Sequence, residues 1–97
     1  MSRELRNLRL LAKVEAVFTI PGRGTVIVPE GLSDLGVRNG DPISLRAPDG
    51  QTKNTHITAV ESLNQGPGKP RRPAFMLPVE VAKQEVAQGT EIWSMKD

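Results

Sequence analysis

His56 and the dipeptide Gly68-Lys69 are the parts of this 97-residue chain closest in wording to catalytic chemistry, and neither completes it. A phosphate-binding loop needs Gly-x-x-x-x-Gly-Lys-Ser/Thr, so that backbone N–H groups and the lysine surround the phosphates while a hydroxyl reaches the magnesium. Here Leu63 stands where the first glycine is required, and Pro70 where the hydroxyl is required. His56 is the only histidine, there is no cysteine, and no two carboxylates are spaced as an acid and base pair. The expectation is a non-enzymatic chain with no cofactor, no metal and no nucleotide held by a phosphate loop. What remains is binding chemistry, carried by arginine and lysine. Arg3, Arg6, Arg9 and Lys13 face one acid, Glu4, in the first thirteen residues, and Lys69, Arg71 and Arg72 sit together with no acid between Glu61 and Glu80. Arg23 lies in a Pro21-Gly22-Arg23-Gly24 turn, where a guanidinium held on a tight bend can make bidentate phosphate contacts. Net charge is only +2, too small for a protein that binds nucleic acid with its whole surface. The two basic clusters would make a phosphate-tracking stripe if folding brings them to one side; otherwise they are solvated charges.

The elements that must position these groups read as β-strands. Val17-Phe18-Thr19-Ile20 and Thr25-Val26-Ile27-Val28 are β-branched arms on either side of the turn. Pro21 presets φ, and Gly22 and Gly24 permit positive φ, so the segment predicts a hairpin. Six strands are expected, over 10–20, 25–28, 42–47, 51–62, 74–77 and 90–94. Pro48-Asp49-Gly50 makes a hairpin turn, and residues 63–73 form an open loop with three prolines and two glycines. Pro42 marks a candidate strand edge that is open for pairing. Residues 1–13 are expected as a basic tail or a short helix with Leu5 and Leu8 on one face, and 14–97 as a single domain. Hydrophobic residues make up 37% and aromatics 3%, so the core must be aliphatic, with Phe18, Phe75 and Trp93 as its few large fillers. No continuous apolar run reaches membrane-spanning length and no signal peptide is evident, so a cytoplasmic protein without membrane contact is expected.

The hairpin wording resembles the start of the second domain of elongation factor Tu and related translational GTPases. The likeness continues through Val37-Arg38-Asn39-Gly40-Asp41-Pro42-Ile43-Ser44-Leu45, Thr58-Ala59-Val60-Glu61, Ala74-Phe75-Met76-Leu77 and Glu85-Val86-Ala87-Gln88-Gly89, the last similar to a short helical turn closing on glycine. It covers roughly residues 14 to 95. The resemblance implies an all-β fold, a small closed six-stranded antiparallel β-barrel of the translation-factor domain-two type. It also implies a pocket for the terminal adenosine and aminoacyl ester of charged transfer RNA, with Glu61 beside the adenine, Glu15 near the aminoacyl group and Phe18 on the wall. Three departures stand against the pocket. Ala16 replaces a second acid, Val28-Pro29-Glu30 stands where the family reads Thr-Gly-Arg, and Phe75 replaces a small glycine where its ring could fill the cavity.

Two functions follow as expectations. One is a translation-associated module binding RNA, the ribosome or the acceptor end of charged tRNA through Glu15, Phe18 and Glu61, with phosphate contacts from Arg3, Arg6, Arg9, Arg23, Lys69, Arg71 and Arg72. The other is a protein–protein interaction module acting as regulator, decoy or assembly piece. That second reading expects an exposed apolar patch or open strand edge and tolerance of charge reversal at Lys69, Arg71 and Arg72.

Overall fold

The computed structural model describes residues 8–31 and 35–96 and shows an all-β protein. The strands are β1 (Arg9–Ile20), β2 (Gly24–Pro29), β3 (Pro42–Arg46), β4 (Thr52–His56), β5 (Ala59–Leu63), β6 (Arg72–Met76) and β7 (Glu91–Ser94), with one 3-10 turn at Lys83–Glu85. They form a seven-stranded sheet in the order β4-β3-β7-β1-β2-β6-β5, and every pairing is antiparallel. No helix among the described residues is long and apolar enough to cross a membrane.

The count of seven corrects the expected six. The segment read as one strand over 51–62 is two, because the chain leaves the β3 ladder after His56 and joins the β6 ladder at Ala59. These two strands are the opposite ends of the sheet order. A flat sheet would hold its ends six spacings apart, about 29 Å, whereas three Cα steps reach at most about 11 Å. The sheet must therefore roll until its ends lie close together. Among the described residues no ladder joins β4 to β5, so the approach is made by the chain at Ile57 and Thr58 and not by hydrogen bonds between the two strands.

β1 makes the roll possible on the other side. Its first half pairs with β7 and its second half with β2, and the register shifts between Leu10 and Ala12 and again between Val14 and Ala16. Such shifts bend a strand and increase its twist. The β1–β2 turn is closed by Arg23 N–H donating to the Ile20 carbonyl at 2.9 Å, with Gly22 at φ +78, as a type II turn with Pro21 ahead of it requires.

Alternation along the strands creates two apolar clusters. Val14, Ile27, Ile43, Leu45, Ile57, Phe75, Leu77 and Ile92 fill the interior. Val26, Val28, Ala74 and Met76 form a second cluster, and Phe18, Ile20, Ala59 and Leu63 pack against it half-buried. Because Ile27 and Phe75 alternate with members of the second cluster, the two lie on opposite faces of β2 and β6. The aromatic residues divide accordingly. Phe75 is interior, while Phe18 sits on the second cluster and Trp93 is half-buried, which corrects the reading of all three as fillers of one core.

Candidate functional site

The register brings the carried-over residues to one half of the sheet. In β1–β2–β6–β5, Phe18 lies opposite Val26, Val26 opposite Met76, and Met76 opposite Ala59. Glu61 is two residues beyond Ala59 on the same strand face, opposite Ala74. Phe18 and Glu61 therefore share the second-cluster face, separated by three strand spacings, about 14 Å along the sheet. The Arg23 guanidinium extends from the β1–β2 turn to within 3.7 Å of the Glu61 carboxylate, with the row Val26, Met76 and Ala59 between turn and acid. Both partners are substantially exposed, and an exposed pair at that separation is held weakly.

Glu15 is placed differently. It occupies the irregularity between Val14 and Ala16, where the Arg72 guanidinium donates to both its oxygens at 2.7 and 3.2 Å and to the Pro29 carbonyl at 2.7 Å. The Arg72 side chain is only 15% exposed. This fork ties β6 to β1 and to the end of β2, and it occupies two residues that the sequence offers as ligand contacts. Arg71 donates to the Ser62 hydroxyl at 2.8 Å and to the Ser62 carbonyl at 2.6 Å, which braces the β5–β6 loop; Lys69 is exposed on that loop. Arg9 is exposed at the start of β1, where that strand pairs with β7 and not with β2. Arg3 and Arg6 lie outside the described residues.

Phe75 does not plug the Phe18–Glu61 face. Its ring points to the interior, fully buried, on a residue that pairs with Ile27 and Val60. Sequence reasoning missed the apolar floor of Val26, Val28, Ala74 and Met76. Its signal is present: Thr25 to Pro29 and Ala74 to Leu77 are runs without polar alternation, the mark of strands buried on both faces. A groove of about 610 Å³ lies elsewhere, between the β3–β4 turn and residues 84–90. It is lined by none of Glu15, Phe18 and Glu61; two of its charges, Lys53 and Glu85, pair at 2.9 Å, and Asp49 is the third. The residue chemistry, and not the volume, therefore marks the candidate face.

Three carboxylates are held below their ordinary range. The Arg72 hydrogen bond, and then its charge, lower Glu15 from the usual 4.5 of a glutamate. Desolvation pushes Asp41 upward, but the Arg38 N–H and the Lys96 ammonium together outweigh it and leave the group lowered. The Ala82 N–H and then Lys53 lower Glu85. Folded values below unfolded ones mean that each group contributes stability above the unfolded pKa and loses it as pH falls through the folded pKa. Melting temperature is thus expected to stay level from about pH 8 to 6 and to fall below about pH 4. The E15Q variant is expected to melt lower at neutral pH and to show a shallower acid limb in melts across that range. Identical acid limbs in the two proteins would remove Glu15 from this account.

The chain matches no protein-family model and no curated protein sequence.

Proposed function

We propose that this protein is a non-enzymatic, cytoplasmic binding module with a rolled barrel of the translation-factor domain-two type, and that it engages RNA at the face of β1, β2, β6 and β5. The carrying observation is the register that sets Phe18, Glu61 and the Arg23 guanidinium on one face above an apolar floor. The weak Arg23–Glu61 pair opens at small cost, which releases a guanidinium for a phosphate oxygen and a carboxylate for the amino edge of a base. Lys69, exposed on the β5–β6 loop, extends the contact along a phosphate chain. Glu15 and Arg72 act in this reading as a fixed clamp beside the ligand. Of the RNA partners, the acceptor end of charged tRNA fits the resemblance best, with ribosomal RNA as the other member of the class. One shallow face gives an affinity of about −4 to −6 kcal/mol, or millimolar to high micromolar.

Amide-shift NMR titrations with a charged tRNA acceptor hairpin, its uncharged form and an unrelated RNA, at low and physiological salt, test this reading. Shifts at Phe18, Arg23 and Glu61 that depend on the aminoacyl group are expected. No shift at low salt with any of the three RNAs overturns RNA binding.

One observation favours the second reading, a protein-interaction module. Leu10 is 45% exposed directly opposite half-buried Trp93, and the Arg46 guanidinium stands 5.4 Å from the Trp93 ring centroid. Trp and Arg beside an exposed apolar side chain are the residue types that anchor protein interfaces. In that case charge reversal at Lys69 and Arg71 leaves binding unchanged, whereas Leu10→Asp abolishes it.

A further inference from the structure

The two ends of the sheet are finished differently. At β5, the Val60 N–H that points away from β6 donates to the Asn39 side-chain carbonyl at 3.0 Å, so the loop before β3 covers that edge. At β4 the bonded positions are set by Ala47 N–H donating to the Gln51 carbonyl and Ile57 N–H donating to the Asp41 carbonyl. With Leu45 opposite Lys53 and Ile43 opposite Thr55, the backbone groups of Gln51, Lys53, Thr55 and Ile57 face β3. The N–H and C=O groups of Thr52, Asn54 and His56 therefore point outward, and no hydrogen bond among the described residues reaches them. All three residues are exposed.

Edge strands are commonly guarded by an outward lysine, a proline or a bulge. β4 has no proline, and its ladder with β3 has no register shift. Its one lysine, Lys53, alternates to the other face, where its ammonium is bonded to Glu85. Unlike Pro42, which the sequence marks as a candidate edge but which lies within β3, paired on both sides, β4 is a straight and unguarded edge.

We propose that β4 pairs antiparallel with β4 of a second copy of this chain, across a two-fold axis at Asn54. The outward residues are symmetric about that position. Asn54 faces its own counterpart, Thr52 faces His56, and each facing pair exchanges two N–H···O bonds. The two Asn54 amides meet side by side, each able to donate and accept, so no pair of like charges opposes the contact. A foreign strand would need a sequence of its own to match this edge; a second copy brings the match with it. The contact joins the outer faces into one sheet, so that the row Leu10, Trp93, Ser44, Asn54 continues into its symmetric copy. Two five-residue strands bury far less than the roughly 1,200 Å² of a stable interface, so the dimer is populated only at high concentration. This inference rests on β4 alone and stands apart from the RNA-binding reading.

Sedimentation velocity from about 10 μM to 1 mM, a range suited to a weak contact, tests it. Wild type is expected to move from monomer to dimer across that range. N54K sets two ammonium groups at the axis and N54D two carboxylates, so each alone remains monomeric, while an equimolar mixture dimerises. Asn54→Pro removes one outward N–H without touching a bond to β3 and is expected to be monomeric with an unchanged melting temperature. A wild type that stays monomeric at the highest concentration, an N54K variant that dimerises like wild type, or a mixture that fails to pair overturns the proposal.

Discussion

Replacement of Phe75 by alanine is expected to destabilise the protein by about 3–5 kcal/mol. The ring is fully buried and is the only aromatic side chain in an otherwise aliphatic interior cluster that includes Ile27, Ile43, Leu77 and Ile92, so alanine leaves a cavity that the surrounding side chains fill only in part. A domain of this size holds about 5–15 kcal/mol in total, so the loss takes a large part of its stability. Urea denaturation followed by the single tryptophan, Trp93, measures it: the midpoint falls while the slope is unchanged. Phe75→Leu keeps most of the volume and is expected to cost less than about 1.5 kcal/mol. Equal losses for alanine and leucine would show that the ring's volume is not what holds the interior together.

Gly24→Ala is the second large effect, about 2–4 kcal/mol from backbone strain and overpacking together. Gly24 has φ +132, and a Cβ there would stand 2.6 Å from the Leu77 carbonyl oxygen. Leu77 cannot retreat cheaply, because its N–H donates to the Thr25 carbonyl at 2.8 Å and the Thr25 hydroxyl donates to the Val81 carbonyl at 2.6 Å. The neighbouring Gly22 separates the two causes. It also has positive φ, at +78, but a Cβ there meets nothing within 4 Å. Gly22→Ala should therefore cost only the left-handed backbone penalty, about 1–2 kcal/mol. Equal melting temperatures for the two variants would eliminate crowding against Leu77 as a cause.

These two glycines show how the hairpin is legible in sequence and where legibility stops. Pro21-Gly22 is a local code, since proline fixes φ and glycine permits the next residue's positive φ, and the structure closes the turn on the Ile20 carbonyl. The reason for Gly24 is non-local: the obstruction is a carbonyl 53 positions along the chain, brought there because Val26 pairs with Met76. The split of the segment over 51–62 was hidden for the same reason. Its alternation of Thr55, Ile57 and Ala59 is continuous, and only the separate pairings of its two halves with β3 and β6 divide it.

The site follows the same rule. That Glu61 and Arg23 are charged and adjoin turns or strand ends is written in the chain; that they meet at 3.7 Å across an apolar floor depends on the order β1-β2-β6-β5. Glu15 and Arg72 are 57 residues apart, and nothing local marks Arg72 as less available than Arg71. Composition, turn residues and strand periodicity determined an all-β chain with an aliphatic interior and a Pro-Gly hairpin, because those signals act over a few residues. Tertiary structure alone decided which arginine closes on Glu15, that the two apolar runs lie side by side as one floor, and which strand is left with an open edge. Each of these depends on what strand pairing sets opposite a residue, and pairing joins positions that the sequence keeps far apart.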